Sequence, residues 1–246
     1  VELQVLPTRT IYVFQSGGIR VSLTWMTPLL PRDLELLSRP VTYVTWDVRA
    51  TDNQDHQVSI YFDVTGELVV DQPEQRVVWS RPVMASLDVL RMGMEDQRVL
   101  ARKGDDLRIE WGYLYAALPM DGREKSDRSA VAEALVTRSA FSSGKPLPAD
   151  DDSRQPRAAN DRWPVMAFSV NLGTVGGEPV SRYLMLAYDD LYSIKYFGKL
   201  LRPYWRVRHA EADSLLKSAL AEYRTLTVEC QAFDHEVMTE LKKAGG

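Results

Sequence analysis

Cysteine and histidine are nearly absent from this chain, with one of the former and three of the latter in 246 residues. A lone Cys230 rules out an internal disulfide and a cysteine-rich zinc site. It falls on the apolar stripe of an amphipathic segment with no Cys-His pattern beside it, so a buried structural thiol is expected. His56, His209 and His235 fall in a turn, at a helix start and within a helix, which leaves a histidine-based triad little to build on. Each is expected at the surface or at a boundary. No glycine-rich phosphate loop, His-Glu-x-x-His, Gly-x-Ser-x-Gly or zinc-ligand spacing occurs, and no cofactor or metal site is expected. No apolar run approaches the ~18 to 20 residues of a membrane-spanning helix, and no basic-then-apolar signal segment opens the sequence. The net charge of -4, with both signs interspersed, offers no basic patch for phosphates, so nucleic acid is not an expected partner.

What is present is the composition of a folded protein, 45% apolar and 26% charged, at a length that one large all-β domain with an appendage can occupy. Thr10 to Phe14 and Ile19 to Met26 are rich in β-branched and aromatic residues. In the second run Ile19, Val21, Leu23 and Trp25 alternate with Arg20, Ser22 and Thr24, the period of a half-buried strand. The glycines of Ser16-Gly17-Gly18 suit a tight connection, so these strands should form a hairpin. A loop is expected at Pro28-Leu29-Leu30-Pro31. A second hairpin is expected from Val41 to Ala50 and Val58 to Val64, across the polar turn Thr51 to Asp55. Further strands are expected at Val77 to Ser80, Ala85 to Arg91, Asp106 to Ala117, Trp163 to Leu172 and Val180 to Ala187. Many strands with no alternating helix between them favour an antiparallel sandwich over a parallel βαβ sheet.

Two inserts break that rhythm. Ser126 to Phe141 reads as a short helix, and Gly144 to Asn160 as a Pro, Asp and Arg-rich loop in which Asp150, Asp151 and Asp152 are solvated rather than cation ligands. After Tyr188 the pattern changes: Leu191 to Trp205 reads as a short helix or helix-turn ended by Pro203. From about Ala210 to Ala244 the residues Leu215, Leu216, Ala219, Tyr223, Leu226, Cys230, Phe233, Val237 and Leu241 form one stripe at spacings of three and four. Such a helix reaches about 50 Å at ~1.5 Å per residue, the length of a strut. The expectation is a mainly β, supersandwich-like antiparallel β-sandwich over 1–190, with a short inserted helix, then a long C-terminal linker helix in a helical part over 191–246.

Carboxylate pairs for hydrolysis leave no local signature. The local candidates for a site at a cleft are Tyr188, Asp189, Asp190 and Tyr192, where the last β segment gives way to the helical part; capping of the following helix by Asp189 or Asp190 is the structural alternative and the favoured one. Tryptophans and tyrosines are expected in the core or at domain contacts rather than as a sugar platform.

Several segments resemble the glutaminase A family: Leu36-Leu37-Ser38-Arg39-Pro40-Val41-Thr42-Tyr43, Asp63-Val64-Thr65-Gly66-Glu67, Leu100-Ala101-Arg102-Lys103-Gly104-Asp105-Asp106, Pro156-Arg157-Ala158-Ala159-Asn160-Asp161, Phe197 to Trp205, and above all Leu186-Ala187-Tyr188-Asp189-Asp190-Leu191-Tyr192-Ser193-Ile194. The resemblance implies a β-sandwich that precedes a helical toroid, in a parent that hydrolyses L-glutamine to glutamate and ammonia and is periplasmic or secreted. It carries over no catalytic residue. The chain opens in strand-like sequence at Val1-Glu2-Leu3 and stops at Gly245-Gly246, so an excised piece is expected, inactive alone, whose partner is the missing C-terminal catalytic domain. The other expected role is a module that binds carbohydrate or positions a glycan or small-molecule substrate.

Overall fold

The computed structural model describes residues 1–245. The chain is mainly β, with antiparallel sheets in a β-sandwich and few helices. In chain order the strands are β1 (Glu2–Val5), β2 (Arg9–Ser16), β3 (Ile19–Met26), β4 (Val41–Ala50), β5 (His56–Thr65), β6 (Arg76–Ser80), β7 (Val83–Met84) and β8 (Leu87–Met94). They continue as β9 (Tyr113–Pro119), β10 (Arg128–Glu133), β11 (Arg157–Ala158), β12 (Pro164–Val175), β13 (Val180–Asp189), β14 (Ile194–Tyr196) and β15 (Lys199–Leu201). The helices are α1 (Leu34–Leu37), α2 (Ala134–Ser142) and α3 (Ala212–Lys243).

Two compact units divide the chain. The first contains residues 1–57, 174–186 and 204–245, and the second 58–173 and 187–203. In the first, β1, β2, β3, β4 and β13 lie side by side. The β2–β3 hairpin is in the expected register, with Ser16 opposite Ile19 and a two-residue turn whose Gly17 and Gly18 both take positive φ. Helix α3 lies against this sheet through the expected stripe: Leu215, Leu216, Ala219, Leu226 and Cys230 are buried, while Leu241 at the far end is exposed. Polar anchors fix it there. The Tyr43 hydroxyl donates to the Ala219 carbonyl at 2.8 Å, and buried Asp234 accepts from the Thr8 amide and hydroxyl at 2.8 Å and from Arg9 Nε at 2.7 Å.

The second unit contains a sheet with the order β9-β8-β6-β11, in which β7 also pairs with β8, and a three-stranded sheet with the order β10-β12-β5. Buried Ser129 of β10 joins the two, donating from its hydroxyl to Asp88 of β8 at 2.7 Å. Ala130, Ala134, Leu147, Val165 and Ala167 form a core cluster here, with Tyr61 packed against it.

Four local expectations are corrected. Strands β4 and β5 exist, but they do not pair: β4 lies between β3 and β13, and β5 pairs with β12. β4 is buried on both faces, Tyr43, Val44, Thr45 and Trp46 alike, which marks a central strand, and a polar turn specifies a reversal without choosing the partner. Ser126 to Phe141 is half strand, since β10 pairs with β12 over Arg128 to Glu133 and only α2 is helical. Asp106 to Gly112 is irregular and β9 starts at Tyr113. Leu191 to Trp205 is not a helix: β14 and β15 form a hairpin around Phe197 and Gly198, at φ 44° and 81°, and a 3₁₀ turn follows at Tyr204–Val207. Leu191 at φ 58° already leaves the helical region.

The core readings hold for Trp46, Trp79, Trp205 and Cys230, all buried. His209 departs from expectation, because it is buried with its Nε2 3.2 Å from Glu35. The acidic run is not simply solvated either. Asp151 takes Arg81 at 2.8 Å, and Asp152 takes Arg154 at 2.7 Å and Arg157 at 3.2 Å.

Candidate functional site

Tyr188, Asp189, Asp190 and Tyr192 lie together where β13 ends, in a turn whose groups bind one another. The Leu191 amide donates to Asp189 Oδ1 at 3.0 Å, the Tyr192 amide to the Asp190 carbonyl at 2.5 Å, and the Ser193 hydroxyl to Asp190 Oδ2 at 2.6 Å. These are the short-range bonds of an Asx turn, and the next element is the β14–β15 hairpin. The favoured sequence reading, a helix cap, is therefore corrected: Asp189 accepts a backbone amide as a cap would, but the chain it organises is extended. The Tyr188 hydroxyl donates to the Trp111 carbonyl at 2.6 Å, and the Trp111 indole N–H donates to the Tyr192 carbonyl at 3.1 Å. Gly112, at φ 85°, closes this clamp, because a Cβ there would lie 2.3 Å from the Asp189 carbonyl oxygen. Burial, followed by the charges of Asp190 and Asp189, pushes the Tyr188 phenol well above its ordinary range, which keeps it a neutral donor.

The clamp projects an apolar hairpin. Ile194 is 56% exposed, Tyr196 60% and Phe197 88%, with Leu200 and Leu201 also exposed. Tyr196 and Phe197 meet edge to face at 4.5 Å. Lys195 and Lys199 lie on the same hairpin.

Sequence reasoning missed a carboxylate pair in the second unit. Asp71 and Glu110, both almost wholly buried, share Arg102, whose Nη1 is 2.6 Å from Asp71 and 3.5 Å from Glu110. Asp71 Oδ1 also accepts the Arg108 amide at 3.0 Å, and the Gln75 amide group donates to Glu110 at 2.7 Å. The Arg108 amide first, then Arg102, holds the Asp71 carboxyl down at about 2. Asp71, held ionised with both oxygens engaged, is a poor proton donor near neutrality, and through Arg102 it and Glu110 staple the irregular segment before β9. Two distant acids and an arginine in a loop carry no spacing signal that could have announced it.

Open clefts lie within each unit. One of about 360 Å³ in the first unit is lined by Arg9, Asp47, Tyr223 and Arg224 among others. One of about 400 Å³ in the second brings Arg154, Arg157 and Arg162 together, where Glu133 and Asp152 partly neutralise them. Among the described residues no group of three His, Cys, Asp or Glu side chains is arranged to hold a metal ion, and no helix is long and apolar enough to cross a membrane.

Comparison with known proteins yields one family profile, described as "Domain of unknown function (DUF5127)", which matches residues 8–240. Glutaminase A of Aspergillus oryzae is 23% identical over 246 residues, covering 97% of this chain and 35% of that protein. A probable glutaminase of Arthroderma benhamiae is 27% identical over 187 residues, covering 70% of this chain and 20% of that protein. The resemblance to the glutaminase A family is thus borne out over most of the chain, which spans only about a third and a fifth of these two relatives. Among solved structures, a putative kojibiose phosphorylase from the human microbiome superposes with a TM-score of 0.47 at 7% identity, over 92% of this chain and 23% of that one.

Proposed function

This chain belongs to the DUF5127 family, and from that premise we propose that it is a non-catalytic β-sandwich module of a larger glutaminase-like hydrolase. The observation that carries the proposal is the β14–β15 hairpin. Five large apolar side chains on eight residues, Ile194, Tyr196, Phe197, Leu200 and Leu201, stand in solvent, and apolar surface concentrated in this way is characteristic of a contact awaiting its other half. The occupant proposed is the remainder of the longer chain. The relatives supply the length for it, since about two thirds or more of each lies outside the match. In this reading the clamp at Tyr188, Asp189, Asp190 and Tyr192 positions the hairpin at a domain boundary, and α3 leads towards the next domain. Glutamine hydrolysis by the whole protein, and its export to the periplasm or beyond, belong to the same proposal.

The test is ammonia release from L-glutamine by the isolated chain beside the whole Aspergillus oryzae relative, with aryl glycosides run in parallel. Turnover of glutamine by the whole protein and none by the isolated chain is the expected result. Turnover by the chain alone would overturn the module reading, and whole-protein activity confined to a glycoside would move the parent to sugar chemistry.

A further inference from the structure

The cleft of about 400 Å³ in the second unit is lined by Arg154, Arg157, Asp161 and Arg162 among others. Its three guanidinium groups converge on one atom. Glu133 Oε1 takes Arg154 Nη2 at 2.6 Å and Arg162 Nη1 at 3.1 Å, with Arg157 Nη1 at 3.9 Å. Asp152 takes Arg154 at 2.7 Å and Arg157 at 3.2 Å. Hydrogen bonds from Arg154, the largest influence on each, hold both carboxyls below the usual carboxylate range. Three cations therefore share two anions, and a single carboxylate oxygen lies at the meeting point of all three. Arg157 is the group left short. Its side chain is 8% exposed, its guanidinium lies 5.8 Å from the centre of the Trp79 ring, and its backbone is paired with β6 through Val77. Nη1 faces Asp152, whereas Nε and Nη2 are buried and have no hydrogen-bond partner among the described residues. Those two nitrogens form one edge of the guanidinium, the edge that grips an oxyanion through two parallel bonds. Leaving a buried charged donor unmatched is costly, and native folds rarely do so without a water or an ion to answer it. Arg154 and Arg162, at 59% and 65% side-chain exposure, line the same cleft and are free to turn while Arg157 stays fixed.

We propose that this cleft binds a tetrahedral oxyanion, inorganic sulfate or phosphate or the same group carried as a monoester, on the free edge of Arg157, with Arg154 and Arg162 closing over it. The unmatched buried edge carries the assignment, and the excess of one cation over the two carboxylates gives it its sign. The shape of the ligand follows from the number of donors. A planar carboxylate has two oxygens, and the Arg157 edge alone would occupy both. A tetrahedral group has further oxygens for Arg154 and Arg162, which then need not crowd the one oxygen of Glu133. Asp161 is the opposing charge: it lines the cleft, is exposed, and pairs with no cation among the described residues. Being solvated, it weakens an anion only modestly. The inference goes beyond the module reading and stands or falls separately from it.

Titration calorimetry on the intact chain tests it, with sulfate, phosphate, methyl phosphate, acetate and chloride as probes at matched ionic strength. Sulfate and phosphate are expected to bind saturably, and acetate and chloride at least about tenfold more weakly, the factor that one lost charge-assisted contact implies. Methyl phosphate separates the two sources. Binding as tight as that of phosphate assigns the site to a monoester, and binding about tenfold weaker assigns it to the free ion; each supports the proposal. Arg157→Lys keeps the charge but removes the fork, and should weaken sulfate by about tenfold or more. Should that variant fail to fold, Arg162→Gln at the exposed rim replaces it and should weaken sulfate by about threefold, whereas Asp161→Asn should tighten it by about twofold. Absence of saturable sulfate and phosphate binding would mean that water alone answers the Arg157 edge, and would overturn the proposal. So would acetate binding as tightly as sulfate, sulfate affinity indifferent to the arginine substitutions, or weaker sulfate binding in Asp161→Asn.

Discussion

Helix α3 and the β14–β15 hairpin are both rich in apolar residues, and the structure treats them in opposite ways. On α3 the apolar positions recur at three and four, and Leu215, Leu216, Ala219, Leu226 and Cys230 are almost wholly buried. Polar groups fix the helix on the same face, notably Asp234 with Thr8 and Arg9, and Glu222 with Arg39 at 2.5 Å. On the hairpin comparable apolar mass stands in solvent, and among the described residues no buried ion pair holds Ile194 to Leu201, whose polar clamp lies only at its base. Hydrophobicity alone therefore does not identify a finished interface. Apolar periodicity combined with buried, mutually satisfied polar groups does, because burying the latter unpaired would be costly and their presence implies that the packing around them is fixed.

The sharpest way to break the comparison is to remove an anchor. Asp234→Ala strips the acceptor from the Thr8 amide and hydroxyl and leaves the Arg9 charge mostly buried without its partner. A loss of about 3–5 kcal/mol is expected from urea unfolding of the isolated chain. A loss below about 1 kcal/mol, the scale of an exposed pair, would show that α3 is not held by this pair. Leu216→Ala, at a fully buried stripe position, should cost about 2–5 kcal/mol by loss of burial and the cavity left behind. Leu241→Ala, at the exposed end of the same stripe, should change stability by no more than about 0.5 kcal/mol.

A subtler probe uses acid. The Arg39 guanidinium, through Nε and Nη2, grips both oxygens of buried Glu35 at 2.9 and 2.8 Å, with His209 and Arg208 at 3.2 and 3.9 Å and Glu222 on the far side of Arg39. The hydrogen bonds from Arg39 hold the Glu35 carboxyl below the usual carboxylate range, against the opposing effect of burial. A carboxylate whose folded pKa is depressed contributes stability that is fully present above its unfolded value, about 4.3, and is lost as pH falls through the folded value. Urea midpoints measured from about pH 6 down to pH 3 should therefore fall, and Glu35→Gln should be less stable at pH 6 yet show a shallower acid decline. An unchanged slope in that variant would mean that other carboxylates govern the acid limb.

Much of this was legible in the sequence where local chemistry and tertiary outcome coincide. The β2–β3 hairpin was readable because its two-residue glycine turn and its alternation specify the same register. The α3 stripe was readable because one face carries the whole pattern. What was not legible depended on partners distant in sequence. Strand β4 reads as half of a hairpin until β13, more than a hundred residues later, is known to lie beside it. The Asp71, Arg102 and Glu110 staple has no spacing signal, since three loop residues meet only after the chain has folded. At the candidate site Asp189 accepts a backbone amide and Asp190 the Ser193 hydroxyl, but the segment they lead into, Leu191 to Trp205, does not form the helix expected there. Ile194, Phe197 and Leu201 fall at spacings of three and four that suit a helix, whereas the left-handed Phe197-Gly198 turn imposes a hairpin.

The smallest effect on the isolated chain should come from the most exposed of these apolar residues. Phe197 at the hairpin tip is 88% exposed and touches Tyr196 edge to face. Replacing it with aspartate removes almost no buried area, so the unfolding free energy of the isolated chain should shift by no more than about 0.5 kcal/mol. The same substitution puts a charge into the centre of the proposed contact. Binding of a dye that reports exposed apolar surface should therefore fall for the isolated chain, and in a longer protein that carries this module the melting temperature should drop, because a desolvated, unpaired carboxylate would then have to be accommodated. A longer protein indifferent to Phe197→Asp would mean that the hairpin faces solvent there too. The contrast with α3 would then lie between a packed element and a merely tolerated one, and the module reading would lose the observation that carries it.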